Sequence, residues 1–257
     1  MPNYNFNDYA ALPPENINER HLLVMFLLDN SGSTAGLPIQ SINAAVNRFA
    51  SDVCKDPKAA GLVDVCVMSF NETPSVVQEW RPITEMNPIN LTAGGGTNIP
   101  AALEAAINKL RERGHLYEDN GGSLFTPYII MLTDGYGGDC TEIAKKVKQR
   151  TDEKKMKLWT LCVKGYDKET IAKLTEGKRV FELVDESGYD FTDFFDFMAL
   201  SVKAVSTSSP DQRVHVDNPL EKEGTNLKVP DLDAWLNDKP RLFLAACCGI
   251  AACRHII

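Results

Sequence analysis

The residues from Leu22 to Leu28 form an unbroken apolar run, and the carboxylate of Asp29 follows it directly. A strand with one face in water alternates apolar and polar side chains, whereas a strand covered on both faces is apolar throughout. The run therefore predicts the central strand of a mostly parallel sheet that is covered by helices on both faces.

Further apolar runs alternate with amphipathic helical stretches up to about residue 205, which is the pattern of an α/β protein. The predicted strands are 22–28, 62–70, 75–81, 128–133, 157–163 and 180–184. The predicted helices are 37–52, 100–113, 141–151, 168–174 and 191–205. Residues 114–126 are expected to form an irregular loop. Residues 71–74 are too few for a parallel crossover, so the third strand should be antiparallel. We predict a Rossmann-like, doubly wound, mostly parallel sheet of about six strands, with one antiparallel edge strand and helices on both faces.

The chain of 257 residues is long enough for one large domain with small additions. We expect an N-terminal extension over 1–20, the domain over 21–206, and a linker with a cysteine-containing C-terminal tail over 207–257. Residues 211–240 are polar and rich in proline, without a sustained hydrophobic period. The apolar stretch 242–253 is shorter than the roughly 20 residues that span a bilayer, so no membrane span is predicted.

Charge and cysteine usage restrict partners and location. A net charge of −8 argues against sequence-independent nucleic-acid binding, which depends on Lys and Arg. The N-terminus has neither a basic stretch nor a long apolar stretch, so we expect no secretory signal. The seven cysteines are scattered, and Cys66 and Cys162 fall inside predicted strands as buried thiols. These features favour a cytoplasmic protein with reduced thiols.

Side chains with oxygen donors lie at the ends of predicted strands. Asp29, Ser31 and Ser33 follow the first strand, Thr97 follows three glycines in a loop, and Asp134 follows the fourth strand. The carboxyl ends of parallel strands meet at one edge of a sheet, so these side chains should converge. Carboxylates and hydroxyls without His or Cys favour a hard cation, and we predict Mg²⁺ (or Mn²⁺). Two carboxylates balance a divalent charge, which leaves room for a further carboxylate to replace a water.

This spacing, D-x-S-x-S with a distant Thr and a distant Asp, resembles the metal-ion-dependent adhesion site (MIDAS) of von Willebrand factor type A (VWA) domains. The resemblance extends over about residues 20 to 205 and matches all five ligand positions, which are Asp29, Ser31, Ser33, Thr97 and Asp134. It implies that Asp134 acts mainly through water, that Thr97 enters or leaves the coordination shell with the state of its loop, and that a protein partner completes the shell with an Asp or Glu.

Residues 29–39 also resemble cytoplasmic bacterial VWA proteins associated with tellurite resistance. That resemblance implies a role in stress response or phage-defence signalling, alongside a kinase and phosphatase pair. We therefore predict a magnesium-dependent protein–protein interaction module and not an enzyme.

Competing enzyme families lack their motifs in this chain. A haloacid-dehalogenase-type phosphatase needs a second Asp at the position of Ser31. The glycine motifs of dinucleotide-binding and P-loop folds are absent after the first strand, and Ser31 and Ser33 do not stand in the G-x-S-x-G setting of a serine hydrolase. One alternative stays open, which is a metal-dependent hydrolase that uses a Mg²⁺-bound water near Asp29 and Asp134.

Candidate partner contacts lie in two regions. Asn30, Gly96 and Tyr136 neighbour the predicted ligands, although Asn30 is also a typical turn residue. In the tail, Cys247, Cys248 and Cys253 lie within the apolar stretch that we expect to dock on this domain or on a partner. Zinc binding and S-acylation are alternatives for these cysteines, and the adjacent pair does not suit the usual spacing of a zinc site.

Overall fold

The computed structural model describes residues 16–163, 165–184, 189–209 and 214–236. Its helices are α1 (Leu37–Cys54), α2 (Pro57–Leu62), α3 (Ile99–Asp119), α4 (Thr141–Asp152), α5 (Lys168–Thr175) and α6 (Thr192–Ser206). Its strands are β1 (Arg20–Asp29), β2 (Val63–Phe70), β3 (Pro74–Pro82), β4 (Ser123–Leu124), β5 (Tyr128–Thr133), β6 (Lys157–Cys162), β7 (Val180–Leu183) and β8 (Leu227–Lys228). Short 3₁₀ turns occur at Gly32–Thr34, Ile83–Glu85 and Pro219–Glu221.

The strands form one mixed sheet in the order β3-β2-β1-β5-β6-β7-β8, and the short strand β4 pairs with the start of β1. Pairing is parallel from β2 to β7 and antiparallel at the two edges, where β3 joins β2 and β8 joins β7. The predicted doubly wound architecture and the antiparallel third strand are confirmed. The sheet has two more strands than the sequence indicated, and each of them contains two residues.

Strand β1 is buried along its length, as its apolar sequence predicts, and its side chains alternate between two cores. The core on one face is closed mainly by α1 and α6, and the core on the other face by α3 and α4. The first core receives Leu22, Val24, Phe26 and Leu28 of β1, and the second receives Leu23, Met25 and Leu27. Burial of each such side chain contributes roughly 1.5 to 3 kcal/mol, so β1 anchors both layers.

Helix α3 begins beside the glycine-rich loop and ends later than predicted. Asn98 caps its N-terminus, because its Oδ1 accepts a hydrogen bond from the Ala101 N–H at 3.1 Å, and Pro100 fits the first turn. The helix continues to Asp119 through residues that were expected to form a loop. The buried side chains of Arg113 and Tyr117 explain the extension, since both reach from this helix to β2.

The chain returns to the sheet after α6. Within 214–236, which the sequence indicated to be a linker, Leu227 lies in β8 and Leu232 is buried against α5 and β7. The Val184 N–H also donates to the Asn226 carbonyl at 2.6 Å. The domain limits derived from the sequence remain a prediction, but this segment forms part of the sheet and its packing.

Two further sequence-based expectations concern thiols and membranes. Cys54, Cys66, Cys140 and Cys162 are free, and Cys66 and Cys162 are buried in strands as predicted. Burial raises the pKa of both strand thiols. Cys247, Cys248 and Cys253 lie outside the described residues. Among the helices that are described, none combines the length and the apolar character that crossing a membrane requires.

A buried charged cluster lies at the amino-terminal end of β1 and β2. The Asp64 Oδ2 atom accepts hydrogen bonds from Arg113 Nη2 at 2.7 Å, Arg113 Nε at 3.1 Å and the Tyr117 hydroxyl at 2.8 Å. The His21 Nδ1 atom lies 3.8 Å from Asp64 Oδ1. Burial alone would raise the pKa of Asp64, but the interactions with His21, Arg113 and Tyr117 outweigh it and hold that pKa below its usual range.

We expect Asp64→Asn to lower the free energy of unfolding by about 3 to 5 kcal/mol, because it removes the carboxylate that faces the buried Arg113. Since the pKa of Asp64 is lowered in the folded state, its contribution is present above the unfolded pKa and is lost as the pH falls below about 4. Urea unfolding from pH 7 to pH 2 measures both effects. The control Asp119→Asn, at an exposed position on α3, should stay within about 0.5 kcal/mol of wild type. Equal losses in the two variants would contradict this account.

Candidate functional site

The predicted oxygen donors meet at the carboxyl edge of the two central strands. Asp29 is the last residue of β1, and Asp134 directly follows β5. These strands are parallel neighbours, with Leu28 opposite Leu132, so both chains leave the sheet at the same level. The chain then turns towards α1 from β1 and towards α4 from β5, on opposite faces of the sheet. Open α/β sheets bind ligands at such a point.

The Asp29 carboxylate is fully buried and held at both oxygens. Its Oδ1 accepts a hydrogen bond from the Ser31 N–H at 3.0 Å, and its Oδ2 accepts one from the Thr133 hydroxyl at 2.8 Å. Burial raises the pKa of Asp29, the hydrogen bonds from Ser31 and Thr133 oppose that rise, and the negative charge of Asp134 adds to it. The folded protein therefore disfavours a charged Asp29 unless a cation lies near.

Ser31 and Ser33 connect the two carboxylates. Their hydroxyl oxygens lie 3.0 Å apart, and the Ser33 hydroxyl donates a hydrogen bond to Asp134 Oδ2. The other oxygen of Asp134 accepts a hydrogen bond from the Tyr136 N–H at 3.1 Å. Ser33 is exposed, whereas Asp29, Ser31 and Asp134 are buried. The cluster is therefore reached from solvent on the side of Ser33.

Thr97 contacts Gly137, which lies in the loop that follows Asp134. A Cβ atom on Gly137 would lie 2.6 Å from the Thr97 carbonyl oxygen and 2.8 Å from the Thr97 Cβ, so the two backbones touch. The Ile99 N–H also donates to the Gly137 carbonyl at 3.1 Å. These contacts place the Thr97 loop beside the loop that follows Asp134. Four of the five predicted residues thus form one hydrogen-bonded group, and Thr97 lies next to it.

The loops around the site are joined through their backbones. The Gly32 N–H donates to the Gly95 carbonyl at 3.0 Å, and the Gly94 N–H donates to the Asn30 carbonyl at 2.8 Å. Asn30, a predicted partner contact, also donates from Nδ2 to the Thr92 carbonyl at 3.0 Å. Asn30 therefore connects the turn after β1 to the loop that contains Gly94, which is a structural role. Gly96 is exposed in the same loop and donates its N–H to Glu72 Oε1 at 3.2 Å.

Exposed apolar side chains flank the donors. Tyr136, another predicted contact, is 57% exposed, and Leu37, at the first position of α1, is 59% exposed. Tyr136 follows Asp134 by two residues and Leu37 follows Ser33 by four, so each lies within about 15 Å of the Ser33–Asp134 contact. Sequence reasoning missed Leu37, although an apolar residue between Gly36 and Pro38 at a helix start was a usable signal.

Sequence reasoning also missed the supporting residues Thr133, Asn71 and Glu72. Thr133 directly precedes Asp134 at the end of β5, where a hydroxyl can reach the neighbouring strand end. Asn71 and Glu72 form the turn between β2 and β3, and they contact a loop more than twenty residues further along the chain. No local pattern reveals such contacts.

The donor set fits a hard divalent cation. It offers two carboxylates with hydroxyls beside them, and these are ligands that Mg²⁺ and Mn²⁺ accept together with water. Within the described residues, neither Asp29 nor Asp134 forms an ion pair with Lys, Arg or His. The same part of the chain contains no group of three or more His, Cys, Asp or Glu side chains that could hold a metal ion.

A sequence profile of the von Willebrand factor type A domain matches residues 24–196, a range that contains all five donors. A search of curated proteins gives no match. Three of the solved structures with a similar fold are described below. The pilus adhesin SpaC from Lactobacillus rhamnosus GG has a TM-score of 0.58 at 12% identity, and the match covers 73% of this chain and 30% of that chain.

Proximal thread matrix protein 1 from the mussel byssus has a TM-score of 0.51 at 15% identity, with 72% of this chain and 48% of that chain covered. The PilB minor pilin from Streptococcus sanguinis has a TM-score of 0.51 at 13% identity, with 72% and 62% covered. The chain thus spans about half the length of the mussel protein and less than a third of the adhesin. At these identities the likeness concerns the fold.

We expect Gly137→Ala to separate the Thr97 loop from the loop after Asp134, since a Cβ at this position would collide with the Thr97 backbone and Gly137 has a φ of 143°. Displacing a residue that supports a metal ligand typically weakens metal binding about 10- to 100-fold, and Mn²⁺ titration followed by electron paramagnetic resonance measures this. The matched control is Gly94→Ala in the same loop, where a Cβ meets nothing within 4 Å. Equal Mn²⁺ affinity in both variants and wild type would contradict the prediction.

Proposed function

Because the chain belongs to the von Willebrand factor type A domain family, which is often used for metal-dependent protein interaction, we propose that it binds Mg²⁺ (or Mn²⁺) at the carboxyl edge of β1 and β5 and captures an acidic residue of a protein partner there. The observation that carries this proposal is the pair of buried carboxylates connected through Ser31, whose N–H bonds Asp29, and Ser33, whose hydroxyl bonds Asp134. Such a pair is costly to bury without a compensating positive charge.

Each proposed ligand has a distinct support. Asp29 is oriented by the Ser31 N–H and the Thr133 hydroxyl, and Asp134 is oriented by the Tyr136 N–H. Ser31, Ser33 and Thr97 would add hydroxyl oxygens, so the proposed MIDAS consists of Asp29, Ser31, Ser33, Thr97 and Asp134. When bound, the cation supplies a positive centre that neutralises the two carboxylates and accepts one more carboxylate in place of a water.

The proposed partner presents an Asp or Glu beside an apolar side chain. The two negative charges of the site carboxylates balance the two positive charges of a divalent cation. An incoming third carboxylate would therefore meet a site that is close to neutral. Ser33 is exposed to solvent, and the exposed side chains of Leu37 and Tyr136 belong to residues within about 15 Å of the Ser33–Asp134 contact, where a protein partner could cover them. Burial of these two side chains would add roughly 1.5 to 3 kcal/mol each, which favours a protein ligand over a free carboxylic acid.

Binding is a better fit to this geometry than hydrolysis. A histidine general base would have to lie near the metal, and the buried His21 lies at the opposite end of β1. The proteins of similar fold are described as a pilus adhesin, a thread matrix protein and a minor pilin. These names are in keeping with the proposed binding role.

The biological setting of the module is proposed on its resemblance to tellurite-resistance-associated proteins. We propose a cytoplasmic module that works in a bacterial stress or phage-defence signalling complex, next to a kinase and phosphatase pair. The apolar tail stretch with Cys247, Cys248 and Cys253 is proposed as a second docking segment. Deleting residues 241–257 should then weaken a partner complex and leave the fold and metal binding unchanged.

Metal binding is tested first by thermal unfolding of the full chain. At a Mg²⁺ concentration about 100 times its dissociation constant, the melting temperature of wild type should rise by roughly 5 to 10 °C relative to EDTA. Asp29→Asn should melt at the wild-type temperature or above it in EDTA, because it removes a charge that is costly to bury, and it should lose the Mg²⁺-dependent rise. A Mg²⁺-dependent rise of equal size in Asp29→Asn would refute the proposed site.

Partner binding is tested by capture from a cell lysate on immobilised full-length protein, with Mg²⁺ or with EDTA. Wild type should retain a defined protein in Mg²⁺ alone, Ser33→Ala should retain less, and the double variant Leu37→Ala with Tyr136→Ala should lose capture while keeping its Mg²⁺-dependent melting shift. Leu200→Ala is the matched control, since Leu200 is an exposed apolar residue on α6. Phosphatase or nuclease turnover that is lost in Asp29→Ala would instead establish the hydrolase alternative.

A further inference from the structure

The turn between β2 and β3 holds the Thr97 loop at three points. Asn71 Nδ2 donates a hydrogen bond to the Gly94 carbonyl at 3.1 Å, and the Asn98 N–H donates one to the Asn71 carbonyl at 2.7 Å. Between them, the Gly96 N–H donates to Glu72 Oε1 at 3.2 Å. The three bonds reach the loop before Thr97 and directly after it. The position of Thr97 therefore depends on this turn.

The three hydrogen bonds differ in the burial and the additional contacts of the residues that form them. Asn71 is half-buried, its Oδ1 accepts a hydrogen bond from the Thr73 N–H at 3.2 Å, and its Nδ2 and its backbone carbonyl both bond the Thr97 loop. Glu72 is exposed, and the Gly96 N–H is the sole hydrogen-bond partner that its carboxylate has within the described ranges. The Glu72 contact is thus the point at which the loop can be released without unfolding the turn.

The Glu72 side chain also packs along the loop. A Cβ atom on Gly96 would lie 3.3 Å from Glu72 Cγ and 3.6 Å from its Oε1, so the Glu72 side chain lies against the loop at this residue. Gly137 touches Thr97, and its carbonyl accepts the Ile99 N–H. The loop therefore contacts Glu72 at Gly96, and it contacts the loop that follows Asp134 at Thr97 and Ile99.

We propose that Glu72 is a positioning residue for the site: through the Gly96 amide it holds the Thr97 loop in the conformation in which Thr97 contacts Gly137, in the loop that follows Asp134. Glu72 acts by accepting a hydrogen bond and not by contributing charge to a cation. Its effect on metal affinity rests on the proposed function, whereas its effect on loop order does not. A partner group that competes for the Glu72 carboxylate would weaken the site from the β2–β3 turn.

The test compares Glu72→Ala with Glu72→Gln in the full chain, because glutamine keeps an acceptor oxygen at nearly the same place and loses the charge. Hydrogen exchange is measured in EDTA, without metal. The Gly96 amide should exchange roughly fivefold faster in Glu72→Ala, as expected for the loss of one hydrogen bond, and at the wild-type rate in Glu72→Gln. Glu85→Ala, which removes another exposed carboxylate, is the control and should leave this amide unchanged.

Metal affinity is the second readout, with Mn²⁺ alone as the probe. Affinity should fall about tenfold in Glu72→Ala and recover in Glu72→Gln. Unchanged exchange at Gly96 in Glu72→Ala overturns the proposal, and so does a loosened loop with unchanged Mn²⁺ affinity. Failure of Glu72→Gln to restore affinity shows a charge effect and also overturns it. If wild type itself binds no Mn²⁺, the proposed function fails, and the exchange rates still decide the role of Glu72 in the loop.

Discussion

The parallel pairing of β1 with β5 brings the two acidic residues of the site together, and the loops of the site lie around that edge of the sheet. Its register sets Leu28 opposite Leu132, so that Asp29 and Thr133 end their strands side by side and the Thr133 hydroxyl can bond the Asp29 carboxylate. A shift of one residue would send one of the two acidic side chains to the wrong face, because strand side chains alternate. The two hydrophobic cores fix that register, since each takes alternate residues of β1. Site geometry is thus a product of core packing.

The chain treats its two buried carboxylates on β1 and β2 in opposite ways. Asp64, at one end of the sheet, has a guanidinium and a phenol from α3 within hydrogen-bond distance, and its pKa is lowered. Asp29, at the other end, has a backbone amide and a hydroxyl as donors and another carboxylate nearby, and its pKa is raised. The first arrangement is complete within the protein and stabilises it. The second has no cationic side chain as a partner within the described residues, and the proposed divalent cation would take that place.

Features that leave a periodic or composition signal could be predicted from the sequence, and those that depend on distant contacts could not. The apolar run of β1 and the short link before β3 sufficed for the central strand and the antiparallel edge. Strands β4 and β8 contain two residues each and show no period, so tertiary pairing alone defines them. At the site, residue types at strand ends indicated the five donors. The hydrogen bond from the Gly96 N–H to Glu72 joins residues that are 24 positions apart in the sequence. It forms only when the two loops are folded, so the sequence does not reveal it.

The central place of β1 also determines how the domain would carry a mechanical load. If the proposed partner at Asp29 pulled along the axis of β1, the load would fall on a strand that pairs with β2 from Leu22 to Asp29 and with β5 from Val24 to Leu28. Tension along that axis shears the ladder bonds on both sides together, whereas tension across a sheet edge opens them one after another. Detachment of the partner would therefore begin at the carboxyl edge of β1 and β5 and at the loops around it. The rest of the sheet would remain folded when the partner leaves.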